Sequence, residues 1–304
     1  MVALTLFSSN AFLFTICTLI WGSTWIAITY QVGEMHLMLS VALRFALAAL
    51  IIACICLYRG ITLIIEARQH KWFLLAGFFL YTLDYSLLYA AQEHMISALL
   101  AVLSSSVIYF NVVLRRLVMG IPMRLEVVLG ATIGLLGIVL IFLPEFKAFS
   151  LQQGIVVGLM FATASFFSAA CGNVVSEKIL KGEVRVLQMN FWSMAYGVSI
   201  TTSIAFLSGA TISIPSAPSY YLSLLYLSVV GSVIAFGAYM RLLKQIGSDK
   251  SAYVVLMYPV VALIISTFFE GYKWSTMAFI GVLIVLIGNV VAMGKLNKRL
   301  GITR

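Results

Sequence analysis

Charged residues are scarce in this chain of 304 residues, in which Asp, Glu, Lys and Arg together make up 10%. Soluble globular domains contain roughly 25% of these four residue types. Hydrophobic residues make up 62%, and the mean hydropathy is +1.09. A chain so poor in charge is not an ordinary soluble domain, and its composition predicts an integral membrane protein.

Cysteine is also rare, with four residues in the chain: Cys17, Cys54, Cys56 and Cys171. All four fall inside apolar segments, where a thiol usually behaves as a small apolar group. Cys54 and Cys56, two residues apart, point about 200° away from each other on a helix and are poorly placed to bind one metal ion. We therefore infer no disulfide, no metal and no cofactor. The sequence also has no nucleophile paired with a base, so it does not predict an enzyme.

A dense run of basic residues is missing, although the net charge is +9. A nucleic-acid-binding arm would carry such a run, so we predict no nucleic-acid partner. Between Met1 and Asn10 there is no Lys or Arg, which argues against a signal peptide. We interpret the first apolar segment as a transmembrane helix.

The sequence contains many long apolar runs. At 1.5 Å rise per residue, about 20 residues cross a hydrocarbon core of about 30 Å. Lipid offers no partners for open backbone groups, so such segments must be helical. The sequence predicts an all-α polytopic membrane protein with ten transmembrane helices. They are Phe12–Tyr30, Leu37–Leu57, Trp72–Gln92, Ser97–Leu114, Leu125–Leu143, Gly154–Val175, Leu187–Ser208, Tyr220–Met240, Ala252–Phe269 and Thr276–Met293.

The basic residues are divided unequally between the two sides of this topology. The side that holds the amino terminus, called here the basic side, receives sixteen of the nineteen Lys and Arg residues. The opposite side receives Lys147 and Lys273, and Arg44 lies within a helix. The positive-inside rule then places both termini in the cytoplasm and the chain in the inner (plasma) membrane. We interpret the basic residues as topology signals and contacts to membrane lipids. On the basic side they are Arg59, Arg68, Lys71, Arg115, Arg116, Arg124, Lys178, Lys181, Arg185, Arg241, Lys244, Lys250, Lys295, Lys298, Arg299 and Arg304.

The two halves of the chain resemble each other. Ser97-Ala98 and Ser251-Ala252 open the fourth and ninth segments, and a glycine-bearing helix follows each. The division falls near Ser150, which gives one five-helix repeat over residues 1–150 and a second over residues 151–304. Because five is odd, the second repeat enters the membrane from the other face. Inverted repeats are typical of transporters, which bind their solute near the midplane between the halves.

Motifs at both ends of the chain carry a family resemblance. The first helix reads Leu19-Ile-Trp21-Gly22-Ser23-Thr24-Trp25, and Leu43-Arg44-Phe45 follows in the second. The second half has Tyr258-Pro259-Val-Val-Ala, Phe269-Glu270 and Ile280-Gly281-Val-Leu-Ile-Val-Leu-Ile-Gly288. This pattern resembles EamA-type members of the drug/metabolite transporter superfamily. The first half departs from it, with Ser106-Val-Ile-Tyr109 where proline is usual and Gly120-Ile121 where Gly-Glu is usual.

The resemblance implies a carrier that moves small metabolites by alternating access, commonly outward. It also implies that the fifth and tenth helices are scaffold, while the other helices of each half surround a central cavity.

Arg44 and Asp84 are the two charges predicted within the membrane. Each costs about 2.5 to 3.5 kcal/mol at a helix centre. Arg44 lies seven residues after Leu37 and Asp84 eight residues before Gln92, which puts both roughly 10 to 12 Å below the opposite surface. Two interpretations stay open: a salt bridge between neighbouring helices, or an Asp84 that meets a substrate amine or a proton in a cavity.

Aromatic and polar side chains form the remaining candidates for a substrate site. Packing and interfacial anchoring account for most aromatic residues in membrane helices, and interhelical hydrogen bonds for most polar ones. The functional alternative is a cavity wall that holds an organic cation through cation–π contacts. We expect Pro259 to break a helical hydrogen bond and to act in gating. The other candidates are Trp21, Trp25, Tyr81, Tyr85, Ser105, Tyr109, Asn173, Trp192, Tyr239 and Tyr258.

These observations predict a secondary transporter for a small molecule. The hypothesis is export of amino acids or related amine-bearing metabolites, with protons as a second partner at Asp84. The alternatives are a carrier for uptake or exchange of a quaternary amine or sulfonium cation, a channel, or a membrane protein without transport activity. The sequence does not distinguish a monomer from a homodimer.

Overall fold

The structure is a computed structural model that describes residues 9–94, 100, 103–141, 143, 153–269 and 274–292. Over these ranges the regular secondary structure is entirely helical, which confirms the predicted all-α architecture. The ten helices are α1 (Asn10–Thr29), α2 (Leu37–Tyr58), α3 (Ala67–Gln92), α4 (Val107–Met119), α5 (Leu125–Ile141), α6 (Gln153–Leu180), α7 (Val186–Leu207), α8 (Pro218–Ile246), α9 (Tyr253–Phe269, after the helical turn Ser248–Ser251) and α10 (Thr276–Ala292).

Six helical stretches in the described part of the chain are long and apolar enough to cross a membrane. They lie in α1, α2, α3, α6, α8 and the Ser248–Ile265 stretch at α9. The stretches Leu125–Ile141 and Thr276–Val291 are equally apolar but shorter. The chain is therefore a multi-pass membrane protein.

Four helices extend further on the basic side than the sequence predicts. Helix α3 begins at Ala67 rather than Trp72, α4 continues to Met119, α6 continues to Leu180, and α8 continues to Ile246. The extensions carry Lys and Arg, whose aliphatic stems can lie along the helix while the charge reaches water. Hydropathy marks where the lipid ends, and a helix can continue beyond that point.

Several predicted features lie outside the described residues. They are the start of the fourth helix at Ser97, the boundary at Ser150, the motif residue Glu270, the opposite-side residues Lys147 and Lys273, and the basic tail residues Lys295, Lys298, Arg299 and Arg304.

Helix packing repeats when the two halves are exchanged. The α1–α9 contact corresponds to α6–α4, the α3–α6 contact to α8–α1, and the α3–α7 contact to α8–α2. Helices α2 and α5 pack against their own counterparts, α7 and α10. With five helices in each half, this is the packing of an inverted repeat, as the sequence predicts.

A short π-helical segment interrupts both α3 and α8. In α3 it spans Phe78–Leu83 and follows 11 residues of α-helix; in α8 it spans Val229–Ile234 and also follows 11 residues. Such π-bulges are rare and are frequent at functional sites. Their matched positions are a second sign of the repeat.

Glycines bring α5 and α10 into backbone contact. A Cβ atom added to Gly288 would lie 2.6 Å from the Gly130 carbonyl oxygen and from the Gly134 nitrogen. One added to Gly137 would lie 2.7 Å from the Gly281 carbonyl oxygen. Gly130 and Gly134, four residues apart on α5, therefore pack two helices within one chain. No described residue of either helix lines the cavity described next.

Candidate functional site

A cavity of about 100 Å³ lies between the halves. One buried water needs roughly 10 to 15 Å³ by the same measure, so the cavity has room for a small solute. Its described walls come from α1, α3, α4 with the turn before it, α6, α8 and α9. The lining residues are Trp21, Thr24, Trp25, Ile28, Leu80, Asp84, Tyr85, Leu88, Ser104, Val107, Phe166, Ala169, Asn173, Phe236, Tyr239, Val255 and Tyr258.

Seven of the residues singled out from the sequence meet in this cavity. They come from both halves of the chain and from five helices. These residues are Trp21, Trp25, Asp84, Tyr85, Asn173, Tyr239 and Tyr258.

Asp84 supplies the one charged side chain among the described residues of the lining. It follows directly after the π segment of α3. Its Oδ1 accepts a hydrogen bond of 2.6 Å from the hydroxyl of Ser165 on α6. The other carboxylate oxygen accepts no hydrogen bond from a donor in the described part of the chain. Most of the surrounding wall is apolar or aromatic, so a cation entering the cavity would meet this carboxylate in an environment that screens charge poorly.

Aromatic rings from α1, α8 and α9 line the same cavity as the carboxylate. The Trp21 ring lies 5.3 Å from Phe236 and 4.8 Å from Tyr239, and the Trp25 ring lies 5.9 Å from Tyr258, measured between centroids. The indole N–H of Trp21 donates to the Gly231 carbonyl at 3.3 Å, which fixes the ring. Fixed rings beside a carboxylate suit an organic ammonium group.

Arg44 does not pair with Asp84. In the described part of the chain, no carboxylate oxygen lies within 4.0 Å of its guanidinium, although the side chain is only 1% exposed. Its Nε donates to the Ser232 hydroxyl at 3.0 Å, while Nη1 has no hydrogen-bond partner in the described part of the chain. The salt bridge that the sequence left open is therefore not formed in this conformation.

The Arg44 guanidinium lies close behind the cavity wall. Its central carbon is 4.8 Å from the ring centroid of Tyr85, a lining residue. A Cβ atom on Gly231 would be 3.3 Å from Arg44 Nη2 and 3.1 Å from the methyl group of Thr24, which also lines the cavity. The glycine thus lets the arginine and the cavity wall approach each other.

Four further candidates have other neighbours. Tyr81 packs its ring against Phe45 and Phe236 behind the wall. Ser105 is buried, but its neighbour Ser104 is the serine that lines the cavity. The Tyr109 hydroxyl donates to Thr132 at 3.1 Å. The Trp192 indole donates at 2.9 Å to the Leu63 carbonyl, and so holds the loop between α2 and α3.

Pro259 lies within α9, next to the lining residue Tyr258. Aligning Ser97 with Ser251 sets an offset of 154 residues (251 − 97), which makes Ser105 the counterpart of Pro259 (259 − 154). The chain turns at Ser105 and Ser106 just before α4 begins. The first half therefore turns at the position where α9 carries a proline within a continuous helix beside the cavity.

Arg115 corrects the sequence interpretation. We expected it to mark topology and contact lipid, but it lies inside α4 with 8% exposure and pairs with Glu177 and Asp249. Neither acidic residue was singled out from the sequence, because hydropathy places both near the end of an apolar segment, where charge is ordinary.

Ten described helices arranged as an inverted repeat around a central cavity are typical of transporters. Residues 8–143 and 156–294 match the EamA-like transporter family, one match for each half, and the chain belongs to that family. It is a non-enzymatic membrane transporter.

Several proteins resemble it over most of their length. The chain is 22% identical over 278 residues to the "Probable amino-acid metabolite efflux pump" of Escherichia coli (strain K12), covering 88% of this chain and 89% of the relative. It is 25% identical over 279 residues to the "Uncharacterized inner membrane transporter YedA" of the same strain, covering 91% and 88%. A solved crystal structure superposes with a TM-score of 0.78 at 19% identity, covering 96% of this chain and 99% of that chain, and shows the same fold.

Proposed function

We propose that this transporter exports amino acids or related amine-bearing metabolites across the inner (plasma) membrane, with both of its termini in the cytoplasm. The observation that carries the proposal is Asp84, the one carboxylate among the described lining residues, in an aromatic cavity that both halves of the chain line. The name of the Escherichia coli efflux pump supports the same class of solute, and the excess of Lys and Arg on the basic side supports the orientation.

The amine of the solute binds to Asp84. Ser165 holds one carboxylate oxygen and leaves the other for the ammonium group. The faces of Trp21, Trp25 and Tyr85 surround the cation and replace part of its hydration shell. A proton on Asp84 removes this attraction, so the proton and the amine compete for one carboxylate. Such competition couples solute export to proton entry.

The carboxylate of an amino acid binds to Arg44 in the same proposal. A buried guanidinium without an anionic partner is unfavourable, and a substrate carboxylate would relieve it by a charge-assisted hydrogen bond. Reaching it requires a small displacement of Tyr85 or Thr24, the groups between Arg44 and the cavity.

Replacing Arg44 with glutamine should weaken binding of a zwitterionic amino acid about tenfold or more, because the charged partner of its carboxylate is lost. Binding of the corresponding amine, which has no carboxylate, should change little. Ligand-induced thermal stabilisation of the purified protein measures both, and Arg241→Gln, an exposed arginine on α8, is the matched control. Equal weakening of both ligands would instead make Arg44 a support for Tyr85 and Ser232.

Replacing Pro259 with alanine should slow transport several-fold while leaving equilibrium binding unchanged. Proline inside a helix removes one backbone hydrogen bond, so a helix can bend there, and alanine restores the donor. Turnover in proteoliposomes and binding in detergent separate the two effects. Pro218→Ala is the control, since a proline at the start of α8 removes no helical bond. Unchanged turnover in Pro259→Ala would show that α9 does not bend at this point.

A panel of ligands tests the substrate class. Amino acids, aromatic amines, quaternary amines and anionic metabolites are compared for thermal stabilisation of the protein, and each hit is then assayed for counterflow in proteoliposomes. Stabilisation by amino acids with counterflow supports the proposal. Hits confined to quaternary amines favour the alternative, a carrier for organic cations, which the aromatic wall around a single carboxylate would also suit. Flux without saturation or counterflow would indicate a channel.

A further inference from the structure

Three buried charged residues join α4, α6 and the turn before α9. Arg115 Nε lies 3.0 Å from each carboxylate oxygen of Glu177, and Nη2 lies 2.8 Å from Oε1. Arg115 Nη1 is 2.8 Å from Asp249 Oδ1. We call Arg115, Glu177 and Asp249 the ion cluster. Their exposures of 8%, 2% and 4% exclude an ordinary surface salt bridge.

The backbone around the ion cluster is shaped to fit it. The N–H and the hydroxyl of Ser248 donate to Glu177 Oε2 at 2.9 and 2.7 Å. Gly247 has a φ of +85°, and a Cβ atom there would collide with the Arg115 guanidinium. A glycine at this point therefore allows both the turn into α9 and the close approach of the arginine.

The ion cluster lies between the cavity and the basic side. On α6, Glu177 is four residues beyond the lining residue Asn173, a distance of about 6 Å along the helix. In contrast, the lining reaches Ile28, one residue from the end of α1, and Leu88, four residues from the end of α3. Both of those helix ends face the opposite side. The cavity is thus displaced toward the opposite side, and the ion cluster lies beyond its basic end.

The aligned positions of the other half do not carry the charges of Arg115 and Asp249. With the same offset of 154 residues, the counterpart of Asp249 is Met95 (249 − 154) and that of Arg115 is Phe269 (115 + 154). A methionine and a phenylalanine cannot form an ion pair. The inverted repeat therefore does not reproduce the Arg115–Asp249 pair at the aligned positions.

We propose that Arg115, Glu177 and Asp249 form the basic-side gate of the transporter. Their contacts hold α4, α6 and α9 together while the cavity faces the opposite side, and they separate when the cavity opens to the basic side. The charged contacts favour one arrangement of the three segments, because a charge that loses its partner must be hydrated by water instead. The proposal requires a carrier with alternating access but no particular solute. It can therefore be tested independently of the substrate assignment.

A cysteine reporter in the cavity wall tests the gate. Val255→Cys, in a protein whose four native cysteines are replaced by alanine, places a thiol in the lining six residues after Asp249. A membrane-impermeant thiol reagent is then added to each face of the membrane in turn. Asp249→Asn and Glu177→Gln should each raise the rate of modification from the basic side about tenfold, which corresponds to about 1.4 kcal/mol.

The same two variants should be modified more slowly from the opposite side, because the two conformations compete. Lys181→Gln removes a half-exposed partner 3.3 Å from Glu177 and should give a smaller change in the same direction. Arg116→Gln, which removes an exposed neighbouring charge bonded to the Gly120 carbonyl, should leave both rates unchanged.

Two outcomes overturn the proposal. Rates equal to the parent protein in Asp249→Asn, Glu177→Gln and Lys181→Gln would show that the ion cluster does not control access. Faster modification from both faces would show that the cluster stabilises the fold without acting as a gate. Should Asp249→Asn or Glu177→Gln fail to fold, the milder Lys181→Gln gives the same comparison between the faces.

Discussion

Replacing Asp84 with asparagine should weaken binding of an amine-bearing substrate by about 100-fold or more. The expected loss follows from removing one partner of a buried charge pair, which costs about 3 to 5 kcal/mol. Asparagine keeps the size of the side chain and an oxygen that can accept the 2.6 Å hydrogen bond from Ser165. The change therefore removes the charge while preserving the packing of the cavity.

The pH dependence of binding should disappear in the same variant. In the parent protein, substrate affinity should fall as the pH is lowered, because a protonated carboxyl group does not attract an ammonium ion. An amide has no such proton to gain, so affinity in Asp84→Asn should be low and independent of pH. Equilibrium binding measured at several pH values, with no gradient across a membrane, isolates this effect from the driving force for transport.

Glu93→Gln is the matched control for Asp84→Asn. Glu93 is an exposed residue that follows directly after the last residue of α3, and it makes the same change from carboxylate to amide outside the cavity. It should leave affinity and pH dependence as they are. If Asp84→Asn keeps normal affinity and normal pH dependence, both the amine site and the proton coupling must be placed elsewhere.

Replacing Gly288 with alanine should cause the largest loss of stability. The added Cβ would lie 2.6 Å from two backbone atoms of α5, the Gly130 oxygen and the Gly134 nitrogen. Backbone atoms cannot rotate aside as a flexible side chain can, so α10 must move away from α5. Overpacking of this kind typically costs about 1 to 3 kcal/mol. We expect a melting temperature lower by several degrees in detergent, together with a smaller yield of monodisperse protein.

Gly237→Ala on α8 provides the comparison. An added Cβ at Gly237 has no atom within 4 Å among the described residues. Because alanine favours a helix over glycine by about 0.5 to 1 kcal/mol, this variant should be as stable as the parent or slightly more stable. Similar melting temperatures for the two variants would mean that α5 and α10 do not depend on glycine contact.

The sequence predicts the fold because membrane helices are governed by a few strong rules. Apolar length and backbone hydrogen bonding define the helices, and the odd number in each half defines the inversion. These rules do not predict where helices end on the basic side, as at Leu180 in α6, because a helix can continue beyond the lipid.

The sequence identifies a lining residue of the cavity where its side chain is chemically unusual for a membrane helix. Asp84 is expensive in a membrane, and it does line the cavity. Ser165 and Phe236 were not found, because a serine or a phenylalanine in a membrane helix is ordinary and its direction depends on packing. The π segments of α3 and α8 also shift the direction of every later side chain, and no pattern in the sequence marks them.

Arg115 was misinterpreted for a related reason. A basic residue near the end of an apolar run fits the positive-inside rule, whether it faces lipid headgroups or the interior. The two carboxylates that pair with Arg115 lie 62 and 134 positions further along the sequence (177 − 115 and 249 − 115) and on other helical segments. A contact between residues so far apart in the sequence leaves no local sequence pattern from which it could be predicted.

The matched π segments also carry historical information about the molecule. A π-bulge holds one residue more than the α-helical turn it replaces, as if one residue had been added to an existing helix. Both segments are 6 residues long and begin after 11 residues of α-helix. The simplest order of events is that the bulge arose in a single ancestral five-helix unit before its gene was duplicated. The acidic residue that follows the first bulge, Asp84, has Ala235 after the second. The two halves therefore share the bend of the helix, whereas the charge that follows it is present in only one of them.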